Sequence, residues 1–472
     1  MDMKVKYLIL ISFIFIFSSC NKWLDVELAD KVPQEKLFST PQGYQEALAG
    51  VYSQMADSAT YGVVLSMEIG DLLAQYYDYD GVASTYEAFK KYDYTNQAVE
   101  SKILAIWKNL YSAIGGANNI IEWAEKDVNV LSPDLKSQVL GEAYALRAYL
   151  HFDLIRLFAP DVKHAPTAKG IPYNLRFGVS LPPVYSVEES VQLVVDDLRA
   201  AEKLLVNDPI VGVKPYEMVN KNDADKYVSR INLYAVKAML ARVSLMRGDK
   251  TSAVKYAKEV IESGKFKLLD FASADKPDEE VDMLFSDEHI FSLRNRKLSD
   301  YSRSLHYRKV SNNGSSTAAP LIFSGRSQWY EGNNDDIRNI KWFSTIDGSF
   351  VKFTVDNTNK IFRKMPMIKL SEMYLILAEC YLGIDDLQAQ NYINQLRDHR
   401  IRNNAHWSYL TMEYIMQEMK REFVGEGQLW YVYKRLNVGI PTSNGILGTI
   451  PPSDQVFVFP MPRKEIETGN RN

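Results

Sequence analysis

Three carboxylates recur at helical spacing near the C-terminus, at Glu418, Glu422 and Glu426. Residues four positions apart lie on the same face of a helix. Two of these groups could serve as acid and base in glycoside hydrolysis, but catalytic carboxylates flank a cleft, and a row on one helix face seldom does. Lys420 and Arg421 are close enough in the chain to pair with them. The spacing therefore favours a structural ion network over catalysis.

Aromatic residues alternate with short polar ones in two distant segments, residues 76–94 and 329–343. One face of a sugar ring carries weakly polar C–H groups that an aromatic ring can cover, and its rim carries hydroxyls that Asp, Asn or Arg can bind. We therefore expect a ligand to contact aromatic residues of both segments, namely Tyr77, Tyr79, Trp329 and Trp342. The alternative, packing of the rings in the core or in loops, applies to about half of the aromatic residues there.

Other kinds of chemistry find no support in the residue types. The 6 His and 2 Cys form no cluster with the spacing of metal ligands, and no zinc-protease, serine-hydrolase, P-loop or dinucleotide-binding motif occurs. The formal net charge of -4 gives no sign of the basic surface that nucleic-acid binding requires. We therefore predict a protein that is not an enzyme, does not bind nucleic acid and requires neither cofactor nor metal.

The N-terminus has the order of a secretory signal. Two lysines among the first six residues are followed by an almost wholly apolar run from Leu8 to Phe17, two serines and Cys20. The run is too short to span a bilayer, which takes about 20 apolar residues. The alternative, a buried N-terminal strand or helix, fits poorly with an uncapped apolar run at the very start. The pattern predicts a signal peptide over residues 1–19 and export from the cell.

The end of this signal, Phe17-Ser18-Ser19-Cys20, resembles the lipobox of bacterial lipoproteins. The resemblance implies that Cys20 becomes the mature N-terminus and is acylated, for example with palmitate. More than one acyl chain gives stable attachment to a membrane. Cys380 then has no partner within the chain, so we expect no disulfide. Its apolar surroundings predict a buried helical residue that behaves as a small hydrophobe and has no redox role.

The elements that must position these residues are mostly helices. Two segments, residues 231–264 and 368–402, have apolar residues at helical spacing on both sides of a glycine, Gly248 and Gly383. Each has about the length of a tetratricopeptide unit, roughly 34 residues, in which small residues let two helices touch. These patterns predict two helical hairpins.

Local signals place further elements. Ser186-Val187-Glu188-Glu189 has the pattern of a capping box that opens a helix. Residues 270–360 are rich in Asp, Ser, Asn and Gly and predict long loops with a few strands. The apolar stretch 456–459 before Pro460 predicts a short buried strand. The predicted fold class is mainly α, with tetratricopeptide-like hairpins packed against a loop-rich half that contains a few short strands.

Several stretches along the chain carry a resemblance to a known family, and they follow one another in the family's order. They are Cys20–Asp25, Gly141–Tyr149, Ala238–Val243, Lys369–Glu379, Lys420–Gly427, Lys434-Arg435 and Phe459–Pro462. Taken together with the lipobox, they resemble the SusD/RagB family of outer-membrane nutrient-binding lipoproteins over nearly the whole length. The resemblance implies helical repeat pairs packed against a loop-rich second half, with ligand contacts from the loops.

The same resemblance implies a partner and a place. The partner is a TonB-dependent barrel of the SusC type, over which the lipoprotein closes like a lid, and the place is the exterior face of the outer membrane. A glycan is the expected ligand, with a peptide as the alternative within the family. Two other classes stay open, an exported glycoside hydrolase and a repeat scaffold that binds only proteins.

The predicted organisation follows from these features. The chain has 472 residues, 46% of them hydrophobic, which is ample for a large core. We divide it into a signal peptide (1–19), an N-terminal region lipidated at Cys20 (20–230) and a C-terminal region with both hairpins (231–472).

Overall fold

The structure is a computed structural model. It describes residues 33–79, 84–178, 181–277, 280–307, 309–310, 316–317, 321–323, 325–330, 335–354, 363–403, 406–443 and 448–469. The predicted signal peptide and the predicted lipidation site, Cys20, lie outside the described residues. Among the helices that the structure does describe, none is both long enough and apolar enough to cross a bilayer.

Helices dominate residues 33–262. They are α1 (Gln34–Leu37), α2 (Pro41–Met55), a π-helix (Val64–Glu68), α3 (Ile69–Leu73), α4 (Ser84–Lys90), α5 (Gln97–Lys126), α6 (Pro133–Phe158), α7 (Val187–Leu204), α8 (Lys221–Val228), α9 (Leu233–Arg247) and α10 (Lys250–Glu262). Thr40, Asn96 and Ser132 cap the first N–H groups of α2, α5 and α6. Ser186 and Glu189 form the predicted capping box of α7. Local residue choice therefore decides where these helices begin.

The helices of residues 263–469 are mostly shorter. They are α11 (Phe271–Ala274), α12 (Leu298–His306), α13 (Arg326–Trp329), α14 (Ile337–Lys341), α15 (Leu370–Tyr381), α16 (Asp386–Asp398), α17 (Met412–Glu422), α18 (Leu429–Leu436), α19 (Asp454–Phe457) and α20 (Arg463–Gly469). The longest of them are α15 and α16. The predicted strand at 456–459 is wrong. Ser453 caps the N–H of Val456 and starts the single turn α19, and Phe459 is buried in extended chain beyond it.

The strands are short and pair antiparallel in twos. They are β1 (Tyr77–Tyr79), β2 (Lys169–Pro172), β3 (Val184–Ser186), β4 (His289–Arg294), β5 (Lys309–Val310), β6 (Ser316–Thr317), β7 (Leu321–Phe323), β8 (Lys364–Lys369), β9 (Ile440–Pro441) and β10 (Thr449–Ile450). The pairs are β1 with β7, β2 with β3, β4 with β8, β5 with β6 and β9 with β10. The β1–β7 pair ties the N-terminal half to the loop-rich half.

The two predicted hairpins are α9–α10 and α15–α16. Gly248 and Gly383 turn them with φ of +79° and +75°, a conformation that glycine adopts without steric cost. Met239 and Leu377 face inward and are 1% and 0% exposed. The predicted burial of Cys380 is also confirmed, at 1% exposure. Helical periodicity therefore located the hairpins, whereas α9 and α15 are buried on more sides than the one face that it predicts.

The hairpins belong to a longer stack of helices. Each helix packs on the next in the order α2, α5, α6, α7, α9, α10, α15 and α16. The contact of α10 with α15 places the two hairpins side by side, although residues 263–369 separate them in the chain. The core formed in this way, with short strands and loops packed against it, matches the predicted fold class.

Candidate functional site

The sequence-predicted ligand residues lie mostly inside the molecule. Tyr77 and Trp342 are 0% exposed and Trp329 is 7% exposed, whereas Tyr79 is half-buried. A buried ring offers no face to a sugar. The expectation of open stacking platforms is therefore corrected for Tyr77, Trp329 and Trp342, which pack in the core.

The structure does bring the two predicted segments together, but as a packed cluster. Tyr77 pairs with Phe323 across β1 and β7, with ring centroids 4.5 Å apart. Tyr76 meets Trp329 edge to face at 5.1 Å. The ammonium of Lys420 lies 4.8 Å from the Trp329 ring centroid. Aromatic pairs in this geometry stabilise the core beyond the area that they bury.

Trp342 is held in a different part of the core. Its indole N–H donates to the carbonyl oxygen of Met283 at 2.8 Å. The Lys352 ammonium lies 3.9 Å from the ring centroid, and Phe285 packs at 5.3 Å. No ring contact of Trp342 with Tyr77, Tyr79 or Trp329 occurs in the part of the chain that the structure describes.

Tyr79 is the member of the predicted set that keeps partial exposure. Its neighbour Asp78 is held by Lys90 and by the Ser443 hydroxyl, which donates to the carboxylate at 2.7 Å. The Lys90 ammonium also lies 5.9 Å from the Tyr79 ring centroid. Tyr79 and Asp78 thus place an aromatic ring and a carboxylate at the end of β1, beside the buried aromatic cluster.

The three glutamates at the C-terminus form the predicted ion network. Glu418 and Glu422 are 0% exposed and Glu426 is 6% exposed. Arg338 lies 2.6 Å from Glu418 and 3.0 Å from Glu422, and Lys369 lies 2.7 Å from Glu426. One detail of the prediction is wrong, because α17 ends at Glu422 and Glu426 lies in the turn that follows.

The electrostatics of this network favour a structural role for these glutamates over the acid and base roles considered above. Burial alone would raise the pKa of Glu418, but Arg338, Arg421 and Arg397 lower it to about 2. The pKa of Glu422 is likewise well below its usual range, because Arg400, Lys369 and Arg338 outweigh its burial. A general acid needs a raised pKa and contact with its substrate. Glu418 and Glu422 instead have lowered pKa values and are buried.

A cavity on another part of the surface has the size of a ligand site. Its volume is about 600 Å³, the largest of five cavities that we compare in the described part of the chain, and the next has about 320 Å³. Pockets for small ligands occupy roughly 300–1,000 Å³. The cavity lies between the end of α2, the chain that joins α8 to α9, and the turn from β4 into α12.

One wall of the cavity is rigid. The Tyr52 hydroxyl donates to Glu142 Oε2 at 2.8 Å and accepts the Ile231 N–H at 2.9 Å. The Arg230 guanidinium pairs with the same carboxylate at 2.9 Å. Burial raises the pKa of Glu142, and Arg230 opposes that shift. Tyr52 and Arg230 therefore hold fixed positions on the wall.

The opposite wall is the turn that follows β4. Asn295 Oδ1 accepts the N–H of Lys297 at 3.0 Å, and its amide donates to the carbonyl oxygen of Gly62 at 3.3 Å. Asn295 is 7% exposed, whereas Arg296 and Lys297 are exposed. A buried asparagine therefore fixes a turn that presents two cations to the cavity.

Helix α12 connects this cavity to the aromatic cluster. Tyr301, one turn into the helix, lines the cavity, and His306 at its last turn lies 3.2 Å from the Tyr77 hydroxyl. The helix is about 13 Å long at 1.5 Å per residue. Burial lowers the pKa of His306 to about 3, so the imidazole is neutral. Tyr77 thus supports the helix that lines the cavity.

Sequence reasoning missed the residues of this cavity. Tyr52, Arg230 and Tyr301 come from three separate stretches with no common motif. Three basic residues at the end of the apolar strand β4 and just after it, Arg294, Arg296 and Lys297, are a local signal that could have indicated it.

Comparisons with known proteins decide the family. A model of SusD-like proteins, described as starch-binding and associating with the outer membrane, matches residues 22–245. A second model, of the SusD family, matches residues 303–466. The two matches cover most of both halves of the chain, in the family's order. The chain belongs to the SusD/RagB family. The family resemblance drawn from the sequence is therefore confirmed.

Solved structures show the same SusD/RagB fold. A SusD superfamily protein of Bacteroides thetaiotaomicron VPI-5482 is 21% identical, with a TM-score of 0.74 over 91% of this chain and 98% of that one. A SusD-like carbohydrate-binding protein of Bacteroides vulgatus ATCC 8482 is 16% identical, with a TM-score of 0.70 over 92% of this chain and 97% of that one. The predicted fold is thereby confirmed.

A curated SusD-like relative from Formosa agariphila is also similar to this SusD/RagB chain. The two are 27% identical over 212 residues. The match spans 43% of this chain and 38% of the relative's length. It supports the family over that part of the sequence.

Proposed function

We propose that this protein is a lipid-anchored, surface-exposed member of its family that binds an oligosaccharide. It holds the ligand in the 600 Å³ cavity and hands it to a TonB-dependent outer-membrane transporter of the SusC type. The matching family model, described as starch-binding and associating with the outer membrane, supports the ligand class and the location. The lipobox-like sequence that ends at Cys20 supports the anchor.

The lining of the cavity is the observation that carries this proposal. Two tyrosines, Tyr52 and Tyr301, lie beside Asn295 and Arg230 around a space large enough for a short saccharide. Aromatic rings cover the C–H faces of sugars, and amide and guanidinium groups donate to hydroxyls. Because Tyr52 and Asn295 are held by hydrogen bonds, little conformational entropy is lost when a ligand binds.

Hydrolysis is the weaker alternative. The carboxylates that sequence spacing singled out, Glu418 and Glu422, are buried among arginines and lysines and cannot reach a sugar. The described lining of the cavity contains one carboxylate, that of Asp57, whereas glycoside hydrolysis uses a pair. Both observations favour binding and transfer over catalysis.

A glycan array tests the proposal with the full-length protein in detergent micelles. We expect retention of at least one oligosaccharide, and Tyr301→Ala should weaken its binding about tenfold through loss of the ring face. Tyr409→Ala is the matched control, because Tyr409 is 59% exposed and does not line the cavity. Retention of no glycan, or equal binding by Tyr301→Ala and wild type, would contradict the proposal.

Tyr79 remains a proposed ligand contact at a second position. Its half-buried ring lies beside Asp78 at the edge of the β1–β7 ladder. Tyr79→Ala in the same array should reduce binding of longer oligosaccharides more than that of short ones, if chains extend from the cavity toward this edge. Equal effects of the substitution on long and short oligosaccharides would remove Tyr79 from the site.

Partner binding is measured separately. Chemical cross-linking in intact cells, followed by purification of the protein, should recover a TonB-dependent barrel. Recovery of other proteins without any barrel, combined with an empty glycan array, would favour the scaffold alternative. Retention of peptides in place of glycans on a mixed array would favour the peptide-binding alternative within the family.

A further inference from the structure

The charges around the 600 Å³ cavity differ in sign from those of the whole chain. The protein has a formal net charge of -4. The described residues that line the cavity nevertheless include five cations and one carboxylate, namely Lys226, Arg230, Arg294, Arg296, Lys297 and Asp57. A concave surface lined by one sign of charge concentrates the field and attracts ligands of the opposite sign.

Three of these cations already have carboxylate partners. Arg230 lies 2.9 Å from Glu142, and Arg294 lies 2.5 Å from Asp225. Lys226 lies 4.0 Å from Asp223. The charges of these three cations are therefore paired with carboxylates.

Arg296 and Lys297 differ from the other three. Neither makes an ion pair within 4.0 Å with any residue of the described chain. Asp57, the one carboxylate of the described lining, accepts the N–H of Ala59 at 2.8 Å and remains charged, so one negative charge stands against the five cations. The cavity therefore carries, on adjacent residues, two exposed positive charges that form no ion pair within 4.0 Å among the described residues.

The turn that carries these cations is built and fixed. Asn295 is buried, accepts the Lys297 N–H and donates to the Gly62 carbonyl oxygen, so the backbone of the turn is held at the cavity. The planar fork of an arginine matches carboxylate and sulfate oxygens, and a neighbouring lysine adds a point charge. Neutral sugar hydroxyls do not require such a pair.

We infer that the cavity binds acidic oligosaccharides, whose carboxylate or sulfate groups meet Arg296 and Lys297. The inference rests on the proposed glycan-binding function and names the ligand class of the same cavity. Tyr301 covers a sugar face, while the two cations bind the acidic substituent on the rim of that sugar or of the next one.

Calorimetric titration of the full-length protein in neutral detergent tests the inference with two matched probe pairs. The first pair is oligogalacturonate and its methyl ester, and the second is sulfated dextran oligosaccharide and unmodified dextran oligosaccharide. We expect at least one charged probe to bind about tenfold more tightly than its neutral counterpart. That preference should shrink between about 50 mM and about 300 mM salt, because salt screens exposed charges. Preference in the first pair indicates uronate, and preference in the second indicates a sulfate ester.

The double variant Arg296→Gln with Lys297→Gln should lose about tenfold in affinity for the charged probe and keep its affinity for the neutral one. The control, Lys108→Gln with Arg199→Gln, removes the same charge from exposed positions outside the cavity and should bind as wild type. Melting temperatures of both variants should equal that of wild type, because all four side chains are exposed.

Several results would overturn the inference. They are equal affinity for charged and neutral probes, an equal loss in the control variant, or tighter binding of hexaglutamate than of either charged saccharide. Retention of uncharged glycans alone would overturn it and leave the proposed function standing. Binding of no glycan at all, charged or neutral, would overturn both.

Discussion

Glu422 is the residue on which the cations of the core converge. Arg338, Arg400 and Lys369 each lie 3.0 Å from one of its oxygens, and all four side chains are buried. Removal of one partner from a buried ion pair leaves charges without compensation and costs about 3–5 kcal/mol. The network is therefore a sensitive point of the fold, although ion pairs of this kind add little net stability over apolar packing.

We predict that Glu422→Gln lowers the free energy of unfolding by about 3–5 kcal/mol, because three buried cations each lose one of their carboxylate partners. Urea unfolding followed by circular dichroism measures the change. Glu413→Gln, on the exposed first turn of the same helix, is the control and should change stability by less than about 0.5 kcal/mol. Equal stability of the two variants would show that the network does not support the fold.

The same network predicts a loss of stability in acid. The folded-state pKa of Glu418 is about 2, below the value of about 4.3 in an unfolded chain. A lowered carboxylate pKa stabilises the folded state fully above the unfolded value, and this contribution disappears as the pH falls toward the folded value. The melting temperature should therefore fall between about pH 5 and pH 2. Glu418→Gln should show a weaker dependence in that range.

Trp329 is the sequence-predicted ligand residue for which burial most changes the expectation. If Trp329 were an exposed ligand contact, as the sequence predicts, Trp329→Ala would weaken ligand binding and leave the melting temperature nearly unchanged. Since the ring is 7% exposed and packs against Tyr76 and Phe323, we instead expect a loss of about 3–5 kcal/mol of stability. Thermal unfolding measures it, with Trp407→Ala, a half-buried ring on another face, as comparison. An unchanged melting temperature together with lost glycan binding would restore Trp329 to the site.

At the scale of elements, the hairpins show how a local pattern becomes tertiary structure. The apolar residues that local periodicity places on one face of α9 and α15 are buried, and so are most of their other residues; glycines at positive φ turn both hairpins. Local periodicity does not predict the packing of α10 on α15, because this contact joins helices from distant parts of the chain. Each hairpin alone would leave an apolar face exposed, and stacking covers it.

We predict that Met239→Ala and Leu377→Ala each destabilise the protein by about 2–5 kcal/mol, because both side chains are fully buried and truncation leaves a cavity. Chemical unfolding of each variant checks this. Leu387→Ala removes the same side chain from an exposed position of α16, 69% accessible, and should have almost no effect. If the buried and exposed variants unfolded alike, the inward faces assigned here would be incorrect.

Helix α12 connects the buried aromatic cluster around Tyr77 to the cavity at the surface. Its first turn presents Tyr301 to the cavity, and its last turn rests on Tyr77 through His306. Ser299 and Arg303 bind the carbonyl oxygen of Thr354, which fixes the helix from the side. Replacement of Tyr77 would therefore alter the cavity through the helix rather than by direct contact with a ligand.

At the scale of the whole molecule, function depends on attachment as well as on binding. We predict that Cys20→Ala abolishes lipid attachment and releases the protein from the membrane, because the acylation site is lost. Metabolic labelling with palmitate should mark wild type and not the variant. Cys380→Ala is the control and should still be labelled, since Cys380 is buried in the core. Labelling of Cys20→Ala would contradict the assignment of the anchor.

The sequence by itself determined the helical class, the two hairpins and the start of α7. Helical periodicity, capping residues and turn glycines act within a few residues, so they can be read without knowledge of the fold. It also favoured a structural network for Glu418, Glu422 and Glu426, because cations lie beside this row of carboxylates in the sequence.

The tertiary structure alone decided which aromatic rings are accessible and which cations lack a partner. Tyr77 is buried because β1 pairs with β7, and Arg338 reaches Glu422 across 84 residues of sequence. The wall of the cavity likewise joins Tyr52 to Glu142 and Arg230. Burial and charge compensation depend on such contacts between distant residues, and no local pattern in the sequence specifies them.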